Sequence, residues 1–163
     1  MLEETEVAQL TRLLSKLDDG FIPQPVFHAL MRKIVSVPIE LCVFDATGRI
    51  LMFRRGADDP EFAPQWHMPG TVIRSGESVD EAVARLLRNE VCAPVLWPAS
   101  LGWFECLRDA ASPRHAIALL HATRLDGPYT GSGSWFDPMN LPADTLAHHK
   151  KMIPVILERA TRR

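Results

Sequence analysis

Apolar and polar positions alternate in strand-length runs through the middle of the chain and recur at helical spacing toward its ends. Pro38 to Phe44 (PIELCVF) reads as a strand, Asp45-Ala46-Thr47-Gly48 as a turn and Arg49 to Arg54 as the returning strand, which predicts a β-hairpin. Ser78 and Glu81 have the spacing of a capping box, in which hydroxyl and carboxylate each take up a backbone N–H that the first helical turn leaves free. Val79, Ala82, Val83, Leu86, Leu87 and Val91 then supply one apolar side and Pro94 forbids a long continuation, so a helix is predicted from Val79 to about Val91. Upstream, Leu10, Leu13, Leu14 and Leu17 repeat at helical spacing, Gly20 is placed to end that helix, and Pro25 opens another carrying Val26, Ala29, Leu30 and Ile34.

Downstream, Val95 to Cys106 and His115 to Leu125 read as strands joined by a loop at Asp109 to Pro113. Ile117, Leu119, His121, Thr123 and Leu125 share one face of the second strand. Gly127 to Ser134 (GPYTGSGS) reads as a glycine- and serine-rich loop, a candidate mobile flap. Trp135 and Phe136 return the chain to the core, and Asp144 to Ala160 is predicted helical with a kink or restart near Pro154.

With 163 residues, 47% of them hydrophobic, the chain is long enough to bury one sizeable core. A net charge of −2 gives no electrostatic reason to expect a nucleic-acid polymer or an anionic membrane as partner. Cys42, Cys92 and Cys106 are scattered and odd in number, which suggests buried free thiols and neither a disulfide framework nor a zinc motif. The N-terminal MLEETEVAQL lacks the basic start and apolar run of a signal peptide, and the expectation is a soluble, cytoplasmic protein.

The chemistry is concentrated in residues 70 to 92, where a glycine turn runs into the capped helix. Glu90 is a carboxylate on one flank of that helix, beside Asn89 and one turn beyond Leu86. Residue by residue the stretch resembles the Nudix box, G-x5-E-x7-R-E-U-x-E-E-x-G-U, of enzymes that hydrolyse nucleoside diphosphates linked to another group. Glu77, Arg85, Leu87 and Glu90 fall on its positions, with Gly70 and Gly76 as flanking turns, while Thr71, Leu86, Asn89 and Cys92 stand where the box has glycine, glutamate, glutamate and glycine. Trp66, Pro69 and Gly70 are similar to the W-x-x-P-G-G approach to the box. The resemblance implies an α/β Nudix fold, an α/β/α sandwich with a mixed β-sheet, over residues 37–163. Residues 1–36 are then an N-terminal helical extension that packs on the core or on a partner in a homodimer.

The run Arg85-Leu86-Leu87-Arg88-Asn89-Glu90-Val91-Cys92 is similar to the R-L-T-x-A-E-L-G box of GDP-mannose mannosyl hydrolases. That likeness implies that Arg85 and Glu90 serve the diphosphate and the metal, that the Gly70 carbonyl is a second metal ligand, that Arg55 contacts phosphate and that Glu40 approaches the sugar. Arg85, Glu90 and Glu77 are the candidate catalytic residues, although Glu77 reads better as a partner of Arg85 that holds the box loop. The cofactor implied is Mg(II) or Mn(II), weakly held without substrate, because Mg(II) bound by one carboxylate completes its shell with water and phosphate oxygens. The partner expected is a small nucleoside diphosphate linked to another group, a nucleotide sugar foremost.

Enzymes of that branch attack the sugar carbon and keep a Gln-His pair shortly before the tryptophan matching Trp135. This chain has Tyr129 and Thr130 there, and neither is a competent base near neutral pH. Candidate bases are His115, His121, His148 and His149, with Glu40, Glu77 and Glu105 behind them. Against them, His121 reads as a core residue and His148-His149, followed by two lysines, as a solvated helix start. His67 either lines the substrate entrance or is simply exposed. Two alternatives stay open: a catalytically impaired domain that senses a nucleotide or binds a partner, and a phosphorus-attacking pyrophosphatase of ADP-ribose type.

Overall fold

In a computed structural model the described residues are 2–18, 22–57, 59–62, 64–109 and 112–162. Their elements in chain order are α1 (Glu4–Leu14), α2 (Gln24–Met31), β1 (Val35–Ser36), β2 (Pro38–Phe44), β3 (Ile50–Arg54), β4 (Trp66–His67), β5 (Gly70–Val72), α3 (Val79–Leu86), β6 (Ala99–Cys106), β7 (His115–Arg124), β8 (Ser134–Phe136) and α4 (Ala147–Thr161). The strands form one mixed eight-stranded sheet in the order β1-β7-β2-β3-β4, with β5 also on β2, β6 on β7 and β8 on β3. β7 runs parallel to β1 and β2, and the other pairs are antiparallel.

Strand parity divides the core into two layers. Ile39, Leu41 and Val43 of β2 pack on one face with Ala82, Val83, Leu86 and Val91 of the box segment. Cys42 faces the other way, against Met152, Ile153 and Ile156 of α4. The result is the expected α/β/α sandwich. β2 is central and covered on both sides, which is why it reads as nearly unbroken apolar sequence. Glu40 is the exception in that run, a carboxyl on the α4 face with only 8% of its surface exposed.

The capping box at Ser78 and Glu81 is formed as predicted. After Leu86 the helix widens into a π-helical turn, Leu87–Val91, that carries Glu90. It ends at Cys92, the one non-glycine described residue with positive φ, at 52°. That backbone conformation is the reason the box pattern has glycine at this position. Cys92→Gly is therefore expected to stabilise the fold by about 0.5–1 kcal/mol, read as a rise in Tm.

Several expectations need correction. The strand foreseen from Val95 starts at Ala99, and Val95 makes only an isolated bridge to Leu125, because Pro94 and Pro98 lack the N–H groups that a ladder needs. The last helix starts at Ala147, since residues 144–146 instead pair with Trp66: Trp66 N–H donates to Asp144 O and Leu146 N–H to Trp66 O. It passes Pro154 without a restart, as that proline sits on the exposed side, where water can take the carbonyl left unpaired. The loop before Trp135 is pinned by an aromatic residue: Tyr129 packs edge-on against Trp135 at 5.5 Å and its hydroxyl accepts the Gly133 N–H at 2.8 Å. Cys42 and Cys106 are buried free thiols as expected, but Cys92 is exposed. Gly20, the foreseen end of the first helix, lies outside the described residues.

Candidate active site

The site forms where β5, the box segment, the end of β3 and the start of α4 meet around Gly70. Gly70 pairs with Glu40 across β5 and β2, and its N–H donates to Glu90 Oε2 at 3.1 Å. A Cβ at Gly70 would lie 2.8 Å from Glu40 Oε2, so glycine here is what lets both carboxyls approach the same backbone. Burial is the main cause that pushes each of these carboxyls up to about 7, and Glu40 adds to the effect on Glu90 by charge repulsion.

Three histidines adjoin the pair. His149, only 2% exposed, accepts the Met68 N–H on Nδ1 at 2.9 Å, which leaves its proton on Nε2, 3.2 Å from Glu40 Oε2. The contact is close but off the hydrogen-bonding direction, so Glu40 Oε2 is buried without a donor. His149 is held down at about 3, first by burial and then by the charge of Arg55. His67 and His148 are lowered to about 4, again mainly by burial. All three are neutral rings at pH 7, so the 3.8 Å approach of His67 Nδ1 to Glu90 is proximity and not an ion pair.

Arg55, the residue after β3, supplies the positive charge. Its Nη1 donates to Asp59 at 2.8 Å, its guanidinium lies 5.4 Å from the Phe62 ring, and its Nε is buried without a partner. Two hollows meet at Arg55. One, about 120 Å³, is lined by Glu40, His67, His148, His149 and Ser112. The other, about 440 Å³, is lined by Glu90, Asn89, Arg54, Asp59 and Ser132.

Arg85 and Glu77, two of the residues expected at the site, are paired with each other. Arg85 Nε and Nη2 each donate to Glu77 at 2.7 Å, Nη1 donates to Thr71 Oγ1 at 2.7 Å, and Nη2 also reaches Val72 O at 3.0 Å. Glu77, lowered to about 2 chiefly by Arg85, also accepts the Arg74 N–H at 3.0 Å. The pair therefore ties the box loop to β5 with a bidentate, charge-assisted contact. Arg85→Ala is expected to cost about 2–3 kcal/mol in thermal stability. Unchanged melting with lost diphosphate affinity would instead give Arg85 a direct ligand role.

The box departures have local explanations. Leu86 is 2% exposed among Ile39, Leu41 and Val43, so the helix turns an apolar side chain into the core there. Asn89 is exposed at the rim of the larger hollow. The foreseen solvated start at His148-His149 is overturned, and the signal was present: His149, Met152, Ile153 and Ile156 have helical spacing and all are buried. Of the other candidate bases, His115 pairs with Glu105 at 3.3 Å on the surface, and His121 is buried with Nδ1 3.3 Å from Leu119 O. Neither lines the two hollows.

Among the described residues no group of three or more His, Cys, Asp or Glu side chains is arranged to hold a metal ion. The site offers a divalent cation the Glu90 carboxylate, which fits one ion completed by water and ligand oxygens better than a cluster. No described helix is long and apolar enough to cross a membrane.

Comparisons with known proteins agree with this fold. No curated protein matches the sequence. Among solved structures, the chain is similar to the MutT protein from Methanosarcina mazei Go1, at 18% identity, 78% of this chain and 94% of that one, TM-score 0.61. It is also similar to a UDP-X diphosphatase, at 16% identity, 95% and 78% coverage, TM-score 0.61. A third likeness is to the NUDIX domain of Shewanella oneidensis NrtR complexed with ADP ribose, at 18% identity, 98% and 99% coverage, TM-score 0.59. These likenesses establish a shared fold. The sequence itself matches the NUDIX domain family over residues 36–155, most of its length, and the chain belongs to the Nudix hydrolase family.

Proposed function

We propose that the protein hydrolyses a nucleoside diphosphate linked to a second group, a nucleotide sugar foremost, with a divalent cation at Glu90 and Glu40 as the general base. The observation that carries this reading is the pair of carboxyls on either side of Gly70, both raised to about 7, with Arg55 between their hollows. A base that titrates near the working pH combines a useful ionised fraction with proton affinity. Glu40 meets that condition, and His149 keeps one side of its chamber neutral. Arg55 neutralises diphosphate oxygens, and a cation such as Mg(II) or Mn(II), as Nudix hydrolases use, stabilises charge developing on the leaving diphosphate.

Attack at the sugar carbon is supported by the burial of Leu86, since the box helix then cannot gather several acids at phosphorus. A similar protein seen with ADP ribose supports a ligand of this class. Turnover of nucleotide sugars and dinucleotides in oxygen-18 water tests the reaction: label in the sugar means attack at carbon, and label in phosphate overturns it in favour of attack at phosphorus. Tight binding without any turnover would favour a nucleotide sensor, the second reading, which the missing box acids support. Our reading also includes a homodimer contact through α1, which has no buried residue and leaves Val7, Leu10 and Leu13 exposed; sedimentation of the intact chain decides it.

A further inference from the structure

A third hollow, about 680 Å³, opens beside the site and has no part in the chemistry described above. Its roof is helical, with Leu14 of α1 and Phe27 and Met31 of α2. Its floor is Thr71, Val72 and Ile73 of β5 and the residue after it. Gly70, Thr71 and Val72 also line the small chamber holding Glu40, and Arg55 lines all three hollows. A molecule lying across Gly70 thus passes directly from the carboxyl pair to a space with an aromatic and aliphatic roof.

The roof is held by an ion-pair hub. Glu61, with a side chain only 1% exposed, accepts from Nε of Arg32, the residue after α2, at 2.9 Å and from Arg114 Nε at 2.6 Å, with His28 Nδ1 of α2 3.3 Å away. Arg114 also lies 5.3 Å from the Phe27 ring. A buried ion-pair hub is weak evidence for net stability, but it sets where α2 sits. Arg55, Arg85 and Arg114, each paired with a carboxylate of Asp59, Glu77 or Glu61, line the hollow together with Asp18, and Arg74, exposed and without a salt bridge among the described residues, adds a positive charge at the rim.

We propose that this space between α2 and β5 receives the nucleobase half of the diphosphate ligand, with Phe27 and Met31 above it, Val72 and Ile73 below it, and Arg74 at the mouth facing the ribose and phosphate side. A planar base with apolar faces suits such a slot, because stacking and apolar contact are tolerant of base identity while Arg74 at the mouth meets the anionic end. This rests on the reading of the carboxyl pair as a diphosphate site, and it assigns the helical extension to recognition.

The test is calorimetric titration, with Mg(II), of ADP, GDP, CDP, UDP and inorganic pyrophosphate into wild type, Phe27→Ala and Ser75→Trp. The first variant removes part of the roof. The second places a bulky side chain in the hollow from an exposed loop position, so it keeps the test alive if the first fails to fold. Wild type is expected to bind at least one nucleoside diphosphate about tenfold or more tightly than pyrophosphate, and both variants to lose that margin with pyrophosphate affinity unchanged. A margin that survives in either folded variant, or affinities for nucleoside diphosphate and pyrophosphate that fall together, overturns the slot. Wild type binding all five ligands equally overturns the slot alone, and wild type binding none overturns the diphosphate site with it.

Discussion

Glu40→Gln is expected to lower kcat by about 10²- to 10⁴-fold, the range that a positioned general base contributes. The substitution keeps size and shape over Gly70, where the close approach leaves no room for a larger group. Wild-type kcat should rise with pH along a limb at or below about 7 and then level, because burial raises the Glu40 carboxyl toward that pH, a cation at Glu90 draws it down, and only the carboxylate can accept a proton from water. The variant should lose this ascending limb. Stability moves the other way. A carboxyl whose folded pKa lies above its unfolded value contributes most below the ordinary carboxylate range, and that contribution is lost as pH rises through about 7. Above pH 7 the glutamine variant should therefore melt higher than wild type. An unchanged pH–rate profile, or a lower Tm at pH 8, would remove Glu40 from the role of base.

Glu90→Gln is expected to cut cation-dependent turnover by about 10³-fold, or about 4 kcal/mol of transition-state stabilisation, with the fold kept. Its amide oxygen can still accept the Gly70 N–H, so the local geometry of the π-helical turn has a substitute for the present bond. What the variant lacks is negative charge for the cation. Titration of Mn(II), with and without a nucleoside diphosphate, separates the cases: wild type should bind weakly alone and better with the diphosphate, and the variant poorly in both. Equal binding by the two proteins ends the assignment of Glu90. Because Glu40 raises Glu90 through charge repulsion, Glu40→Gln should also bring the Glu90 carboxyl down, an effect that titration of the Glu90 carboxyl by NMR can follow.

The two substitutions test different halves of the site, and their legibility in the sequence differed for the same reason. Glu90 lies on a segment whose spacing names it: a capped helix, a matched arginine and a glycine turn are all local. Glu40 was visible only as the charge in an apolar run. Its proximity to His149 joins a strand near the start of the domain to a helix near its end, and no sequence interval reports that contact. Glu61 is a further case, since its three partners are His28 of α2, Arg32 just after α2 and Arg114 just before β7.

The sequence by itself determined the elements and their faces. The β2–β3 hairpin, the capping box at Ser78, the strand at His115 and the return through Trp135 follow from side-chain periodicity and turn chemistry, which act between near neighbours. It also determined that the box helix carries a single carboxylate, Glu90, on the flank it shares with Leu86 and Asn89. The tertiary structure alone decided which polar groups share a low-dielectric space. Packing α4 across β2 buried His149 and turned Glu40 into a group that titrates near 7, and the bidentate hold of Glu77 on Arg85 engaged a guanidinium that the motif had suggested for phosphate. Desolvation depends on everything that excludes water from a group, and the chain's linear order carries no measure of it.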